Sequence, residues 1–183
     1  MDLAAGAVAP VAEEEHQVAG NKLTQLTGID TLKGQYLGRR YFTQEFLADI
    51  SQLITEAESG HHAELMVAIE RKFPGHVEST RERAFEVYGR LKVWDTPQKT
   101  GLLLYLSLDR QAIEIIADRG IVVDDEQWVE ISSVLAGYFK NKQFREGLVA
   151  AVKQIEAILN EACPQSEQSA SGEGFLPNEP VIL

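Results

Sequence analysis

The fold of this chain is decided by residues 101–117, which read Gly101-Leu-Leu-Leu-Tyr-Leu-Ser-Leu108, then Asp-Arg-Gln, then Ala112-Ile-Glu-Ile-Ile-Ala117. The first run is apolar along nearly its whole length, which is typical of a central strand covered on both faces. Asp109 and Arg110 predict a tight turn, so the second run returns antiparallel to the first. The stretch therefore predicts a buried β-hairpin.

Helices and one further strand are predicted around this hairpin. Apolar residues recur at helical spacing after Thr43, after Ser79 and twice after Gly120. Residues 63–70 form a short apolar run that predicts another strand. The order is α-β-α-β-β-α-α, and three apolar strands are most economically buried by helices on both faces of a sheet. We therefore predict an α/β fold, a three-layer α/β/α sandwich whose small mixed sheet contains the hairpin at its centre.

The two ends of the chain are patterned differently from its middle. Residues 1–35 are interpreted as a flexible N-terminal arm, residues 36–162 as the folded domain and residues 163–183 as a C-terminal tail. The tail begins with a linker-like composition and ends, from Phe175, in a largely apolar stretch punctuated by proline. Two interpretations of that stretch remain open. It is either an extended segment packed on its own domain or a docking peptide for a partner groove.

Charge and composition exclude several classes of function. The 183 residues carry 28 acids and 17 bases, a net charge of −11. This balance argues against binding to nucleic acid, which needs a basic stripe, and against adhesion to an anionic membrane. No stretch approaches the ~20 apolar residues that span a bilayer, and no signal-peptide pattern is present. The single cysteine, Cys163, excludes an intrachain disulfide and is interpreted as structural. We therefore expect a cytoplasmic protein with no direct membrane insertion.

Two motifs in the chain resemble those of a known family. The hairpin region, residues 101–120, resembles the Gly-Val-Leu-Leu … Asp-Asp-Arg … Gly signature of the TPM domain, and residues 138–148 resemble its helix-junction motif. The resemblance covers residues 42–160 and implies a three-layer α/β/α sandwich. Other members are YgcG-like proteins and thylakoid proteins described as metal-binding or as acid phosphatases. This chain is similar to the short, anchorless bacterial branch, which is often encoded beside LemA-type membrane proteins.

One position departs from the family pattern. The family commonly places Asp-Asn immediately before the central glycine, whereas Lys99 and Thr100 precede Gly101 in this chain. Because hard cations need clustered oxygen donors, a lysine ammonium at this position weakens any metal site that uses the loop. The phosphatase activity implied by the resemblance is correspondingly weakened.

Carboxylates in the loops that flank the hairpin are the candidate metal ligands. An antiparallel return brings the loop before the first strand and the loop after the second to one edge of the sheet, where acids could bind Ca²⁺ or Mg²⁺. The candidates are Asp95, Asp118, Asp124 and Asp125. The alternative is that Asp124 and Asp125 cap the following helix. Asp109 lies at the opposite end of the hairpin and is assigned to the turn.

Other polar residues carry weaker signals. Arg110 and Arg119 could hold a phosphate or pair with neighbouring acids. His61 and His62 are interpreted as surface-loop residues, because no third ligand lies at metal spacing. The sequence has no Gly-x-x-x-x-Gly-Lys loop, no Gly-x-Ser-x-Gly elbow and no Cys-x-x-Cys pair, so no catalytic residue is assigned.

Two functions of different classes remain open. The first is a non-enzymatic interaction module in envelope or membrane-protein maintenance, with membrane-anchored TPM or LemA-like proteins as partners. The second is a divalent-metal-dependent acid phosphatase acting on phosphomonoesters. The departure from Asp-Asn at Lys99 and Thr100, the missing catalytic motifs and the apolar end of the tail favour the first. Trp94, in the loop before the central strand, is a candidate surface anchor for a partner. The candidate partner-binding residues are Trp94, Phe175, Leu176 and Pro177.

Overall fold

Helices cover both faces of a four-stranded sheet. A computed structural model describes residues 29–165 and 175–183. In chain order its elements are α1 (Ile29–Tyr41), α2 (Gln44–Ala57), a 3-10 turn (Glu58–Gly60), β1 (Glu64–Glu70), α3 (Thr80–Arg90), β2 (Gly101–Ser107), β3 (Ala112–Ala117), α4 (Asp125–Lys140), α5 (Phe144–Ala162) and β4 (Val181–Ile182).

The sheet is mixed and has the strand order β3-β2-β1-β4. Strands β2 and β3 form the antiparallel hairpin, with Leu104 opposite Ile115. Strand β1 runs parallel to β2, and β4 adds in parallel to the other side of β1. The predicted small mixed sheet with a central hairpin is therefore confirmed. Strand β2 is an interior strand, as its continuous apolar run predicts.

Alternate side chains of the strands enter two separate cores. On one face, residues such as Leu65 and Leu104 pack with α2, α4 and α5. On the other face, Met66 and Tyr105 pack with α3 and with Leu176 from the end of the chain. This alternation is the period of a β-strand, and it divides the molecule into the predicted three layers of helix, sheet and helix.

The N-terminal caps of two helices are confirmed. The Thr43 hydroxyl accepts a hydrogen bond from the backbone N–H of Phe46 at 3.3 Å at the start of α2. The Ser79 hydroxyl accepts one from the N–H of Glu82 at 3.1 Å at the start of α3. Each hydroxyl satisfies one of the amide groups that a helix leaves free at its first turn.

Helix α1 is not predicted by the sequence, because two glycines interrupt its pattern. A side chain at Gly34 would overlap the carbonyl oxygen of Arg71, and one at Gly38 would overlap the Arg71 side chain. Glycine disfavours helix but allows this close approach to the end of β1. Residues 29–35, which the sequence assigns to the flexible arm, are therefore helical. Residues 1–28 lie outside the described part of the chain.

The end of the chain packs on its own domain, which is the first of the two interpretations of the tail. Strand β4 pairs with Ala68 and Ile69 of β1. The N–H of Leu183 donates to the carbonyl of Ile69 at 2.9 Å, and the N–H of Arg71 donates to the carbonyl of Leu183 at 3.2 Å. Leu176 is buried in the second core. Residues 166–174 of the predicted tail lie outside the described part.

Candidate functional site

The loops before β2 and after β3 meet at one edge of the sheet, as the antiparallel hairpin requires. The backbone N–H of Gly120 donates to the carbonyl of Lys99 at 2.8 Å, which joins the two loops directly. We call this region, residues 93–100 and 118–124, the hairpin edge. It contains three of the four predicted metal ligands, and the fourth, Asp125, adjoins it at the start of α4.

The predicted metal ligands lie in different environments at this edge. Asp118 is buried and accepts a hydrogen bond from the N–H of Arg119 at 2.7 Å, whereas Asp95, Asp124 and Asp125 are exposed. Asp124 occupies the N-cap position of α4 without a side-chain capping bond. Within residues 29–165 and 175–183, no group of three or more His, Cys, Asp or Glu side chains is arranged to hold a metal ion. The structure thus brings the loops together but does not assemble these carboxylates into a ligand set.

A buried acid and a buried phenol lie behind the hairpin edge. Tyr88 of α3 and Asp118 are both almost inaccessible to water. Burial, followed by the charge of Asp118, raises the pKa of the Tyr88 hydroxyl. Neither the Tyr88 hydroxyl nor Oδ2 of Asp118 makes a hydrogen bond of good geometry. Incompletely satisfied polar groups are rare in protein interiors and mark Asp118 as the unusual member of the predicted set.

The exposed part of the hairpin edge includes one large aromatic side chain, that of Trp94. Trp94 is 41% exposed, and the Lys99 ammonium lies 5.7 Å from the centre of its ring. The same ammonium donates to the Trp94 carbonyl at 3.3 Å. Val122, in the adjoining loop, is 86% exposed. Lys99 therefore holds an indole ring through a cation–π contact.

The predicted partner-binding residues of the tail divide into exposed and buried ones. Phe175 and Pro177 are exposed, whereas Leu176 is buried. The N–H groups of Phe175 and Leu176 donate to the two carboxylate oxygens of Glu64, at 3.1 and 3.3 Å. The amide of Asn178 donates to Glu58 at 2.6 Å. Leu176 is thus an anchor of the tail to its own domain, and its exposed neighbours face solvent.

The family model of the TPM domain matches residues 38–158, which include both loops of the hairpin edge. The chain belongs to the TPM domain family. This TPM domain is also similar to a solved structure, the BA42 protein of the psychrophilic bacterium Bizionia argentinensis, determined by NMR. The two share 25% identity and a TM-score of 0.69, over 79% of this chain and 97% of that chain. No curated protein matches significantly.

The predicted resemblance and the predicted sandwich are therefore both confirmed. The described helices of this TPM domain include none that is long and apolar enough to cross a lipid bilayer. The family match extends from the last turn of α1 into the last turns of α5, so it contains most of both cores but not Leu159, Cys163 or Leu176.

The TPM domain contains a buried ion pair that the sequence does not predict. His61 is buried, and its Nε2 lies 2.6 Å from Oε2 of Glu156 on α5, while its Nδ1 lies 3.0 Å from the carbonyl of Ala63. The prediction of a surface position is wrong for His61. The side chain packs against α5, which lies far from His61 in the sequence and which local patterns therefore do not place beside it. Both ring nitrogens of His61 therefore have an oxygen partner inside the protein.

A second buried ion pair joins α3 to the end of β1. Arg83 donates to the two carboxylate oxygens of Glu70, from Nη2 at 2.8 Å and from Nε at 3.0 Å. The hydroxyl of Tyr105 donates to the same carboxylate from β2. The hydrogen bonds to Glu70 raise the pKa of Arg83, and burial raises the pKa of Tyr105. Because side chains alternate along β1, Glu70 lies on the same face of the sheet as Met66, which packs in the second core. This alternation is the sequence pattern that could have predicted the contact.

Proposed function

We propose that this TPM domain protein is an interaction module in envelope or membrane-protein maintenance and that the hairpin edge is its binding surface. The observation that carries the proposal is Trp94, a large aromatic side chain that is exposed yet held by Lys99. Tryptophan is enriched among the residues that dominate binding energy at protein interfaces. A side chain held in place before binding loses less conformational freedom on association.

The hairpin edge contains the residue types of a protein interface. Trp94 and Val122 supply exposed apolar area, and Asp95, Lys99 and Arg119 of the same two loops supply charges of both signs. An apolar centre with a polar rim is the usual arrangement at interfaces between proteins. The partners we propose are a membrane-anchored TPM protein or a LemA-like protein, from the branch of the family that the sequence resembles. The compartment we propose is the cytoplasm.

A divalent-metal-dependent acid phosphatase is the second candidate function. Asp118, buried beside Tyr88 with its Oδ2 lacking a hydrogen-bond partner, is the observation in its favour, because each such buried polar atom in a native protein calls for an explanation. Among residues 29–165 and 175–183, no three His, Cys, Asp or Glu side chains are placed to share an ion, so this candidate lacks the clustered oxygen donors of a Ca²⁺ site. We therefore place the interaction module first.

Binding measurements on the full chain test the proposal. Trp94→Ala is compared with Tyr36→Ala, which removes an exposed aromatic side chain from α1. Calorimetric titration with the purified soluble regions of a membrane-anchored TPM protein and of a LemA-like protein gives the affinities. Loss of an interface hot spot costs about 2 kcal/mol or more, roughly 30-fold in Kd. We expect that loss in Trp94→Ala and an unchanged Kd in Tyr36→Ala.

The same preparations distinguish the two candidate functions. If Trp94→Ala binds both partners as tightly as the wild type, the hairpin edge is not the binding surface. Hydrolysis of p-nitrophenyl phosphate that requires Ca²⁺ or Mg²⁺ and disappears in Asp118→Asn would establish the phosphatase instead. Hydrolysis that survives in Asp118→Asn would indicate a contaminating enzyme.

A further inference from the structure

The C-terminal segment, residues 175–183, covers the outer edge of β1 through a small number of contacts. Strand β4 is two residues long, and its side chains are half-exposed. At its far end the segment is fixed by the two backbone hydrogen bonds of Leu183. At its near end the carboxylate of Glu64 accepts the N–H groups of Phe175 and Leu176. The attachment of the segment thus depends on a short strand, an apolar anchor and a carboxylate.

Acidic side chains crowd beneath the near end of the segment. Glu58, in the 3-10 turn, accepts a hydrogen bond from Asn178 at 2.6 Å. The charged groups that act on Glu58 are Glu64 on β1, Glu156 on α5 and His61. His61 pairs with Glu156 at 2.6 Å. Among the described ion pairs none includes Glu58 or Glu64, and Oε1 of Glu58 is buried without a hydrogen bond.

The segment therefore lies directly against two neighbouring carboxylates, through the hydrogen bonds that Phe175, Leu176 and Asn178 donate to them. Burial, followed by repulsion from Glu64, raises the pKa of Glu58 from 4.5 to about 7. Burial also raises the pKa of Glu64. When the segment leaves, Glu58 loses the hydrogen bond from Asn178, which lowers its pKa, but it also regains water. Because burial is the largest cause of the raised pKa, the pKa of Glu58 then falls towards the ordinary value. The attached state thus binds protons more tightly than the released state, so attachment is favoured at low pH and weakens as the pH rises through about 7.

We propose that the segment is a reversible cover of the β1 edge, closed when the Glu58–Glu64 pair takes up a proton and opened when both carboxylates are ionised. Opening frees the backbone groups of Ile69 and Arg71 and removes Leu176 from the second core. An uncovered strand edge can pair with another extended chain, so the cover controls access to that edge. This inference goes beyond the proposed function and does not depend on it, because the cover and the hairpin edge are different surfaces.

Hydrogen exchange in the full chain tests the cover, because it detects opening that is too rare for direct observation. The protection factors of the Arg71 and Leu183 amides are measured at pH 6 and pH 8, each corrected for intrinsic exchange. A shift of the Glu58 pKa from 4.5 to about 7 predicts a fall of about tenfold in protection over this interval. The amide of Leu104, in the centre of β2, reports global unfolding and should not fall in parallel.

Three variants separate the role of Glu58 from a general effect of pH. Glu58→Gln is neutral and can still accept from Asn178, so its protection should change less than twofold between the two pH values. Glu56→Gln removes an exposed carboxylate of α2 and should retain the tenfold fall. Asn178→Asp places a further negative charge against Glu58 and should lower protection at pH 8.

Three outcomes would overturn the proposal. The first is wild-type protection at Arg71 and Leu183 that is the same at both pH values or rises with pH. The second is a tenfold fall that persists in Glu58→Gln, because the responsible group would then be another one. If Leu104 falls together with the two edge amides, the whole domain opens and no separate cover exists.

Discussion

Arg83 lies between α3 and the end of β1, where it donates to both carboxylate oxygens of Glu70. The two side chains are 10% and 4% exposed, so the pair is almost removed from water. Removing one partner of a buried pair leaves an uncompensated charge and costs about 3–5 kcal/mol. In Arg83→Met the hydroxyl of Tyr105 still donates to Glu70, so we expect the lower end, about 3 kcal/mol.

Urea unfolding at pH 7 measures this loss as a lower transition midpoint at an unchanged slope. For a chain of this size, about 3 kcal/mol corresponds to a fall of roughly 6–12 °C in Tm. The matched control is Arg145→Met, because Arg145 pairs with Asp49 on the surface with 53% and 51% of the side chains exposed. Exposed pairs contribute less than about 1 kcal/mol, so this variant should remain close to the wild type.

A double variant separates lost pairing from lost packing. Arg83→Met combined with Glu70→Met removes both charges, and such replacement is often neutral or stabilising. The double variant should therefore be more stable than Arg83→Met alone. Equal losses in Arg83→Met and Arg145→Met would refute the reasoning, and so would a double variant that is less stable than the single one.

Three further predictions follow from close approach and burial. Gly34→Ala should destabilise the domain by about 1–3 kcal/mol in urea unfolding, because its methyl group would overlap the Arg71 carbonyl. Gly89→Ala has open space around it, so it should be neutral or stabilising. Leu176→Ala should lower the free energy of unfolding by about 2 kcal/mol and reduce the hydrogen-exchange protection of the β1 edge amides. The Kd for partners bound at the hairpin edge should not change. Burial raises the pKa of the Cys163 thiol, so a thiol reagent at pH 8 should react far more slowly with the native protein than with the protein unfolded in urea. Equal rates would contradict the burial of Cys163.

The parts of the fold that the sequence predicts are those controlled by local patterns. The apolar run at residues 101–108 predicts β2, and the range predicted for β3, residues 112–117, is the range in the structure. Local patterns do not predict helix α1, because it contains two glycines, which have low helix propensity. Arg71 approaches both glycines so closely that a larger side chain would overlap it. The tail is ambiguous for the same kind of reason, since its first contacts are with Glu64, 111 residues away along the chain.

The candidate site could be predicted at the level of loops but not of side chains. Antiparallel pairing of β2 and β3 is enough to bring the two loops of the hairpin edge together. The burial of Asp118 beside Tyr88 depends on how α3 packs on the sheet, which no local pattern records. The contact of Lys99 with Trp94 lies within a single loop, yet it requires a conformation that periodicity does not specify.

The position of β4 has a consequence for the synthesis of the chain. Its partner β1 is made more than 100 residues earlier, since Ile69 pairs with Ile182. At about 5–20 residues per second, a ribosome needs roughly 6–22 s to make the intervening segment. During that time the outer edge of β1 lacks its partner strand, and such edges associate with neighbouring nascent chains. The yield of native protein should therefore depend on how crowded these chains are while they are being translated.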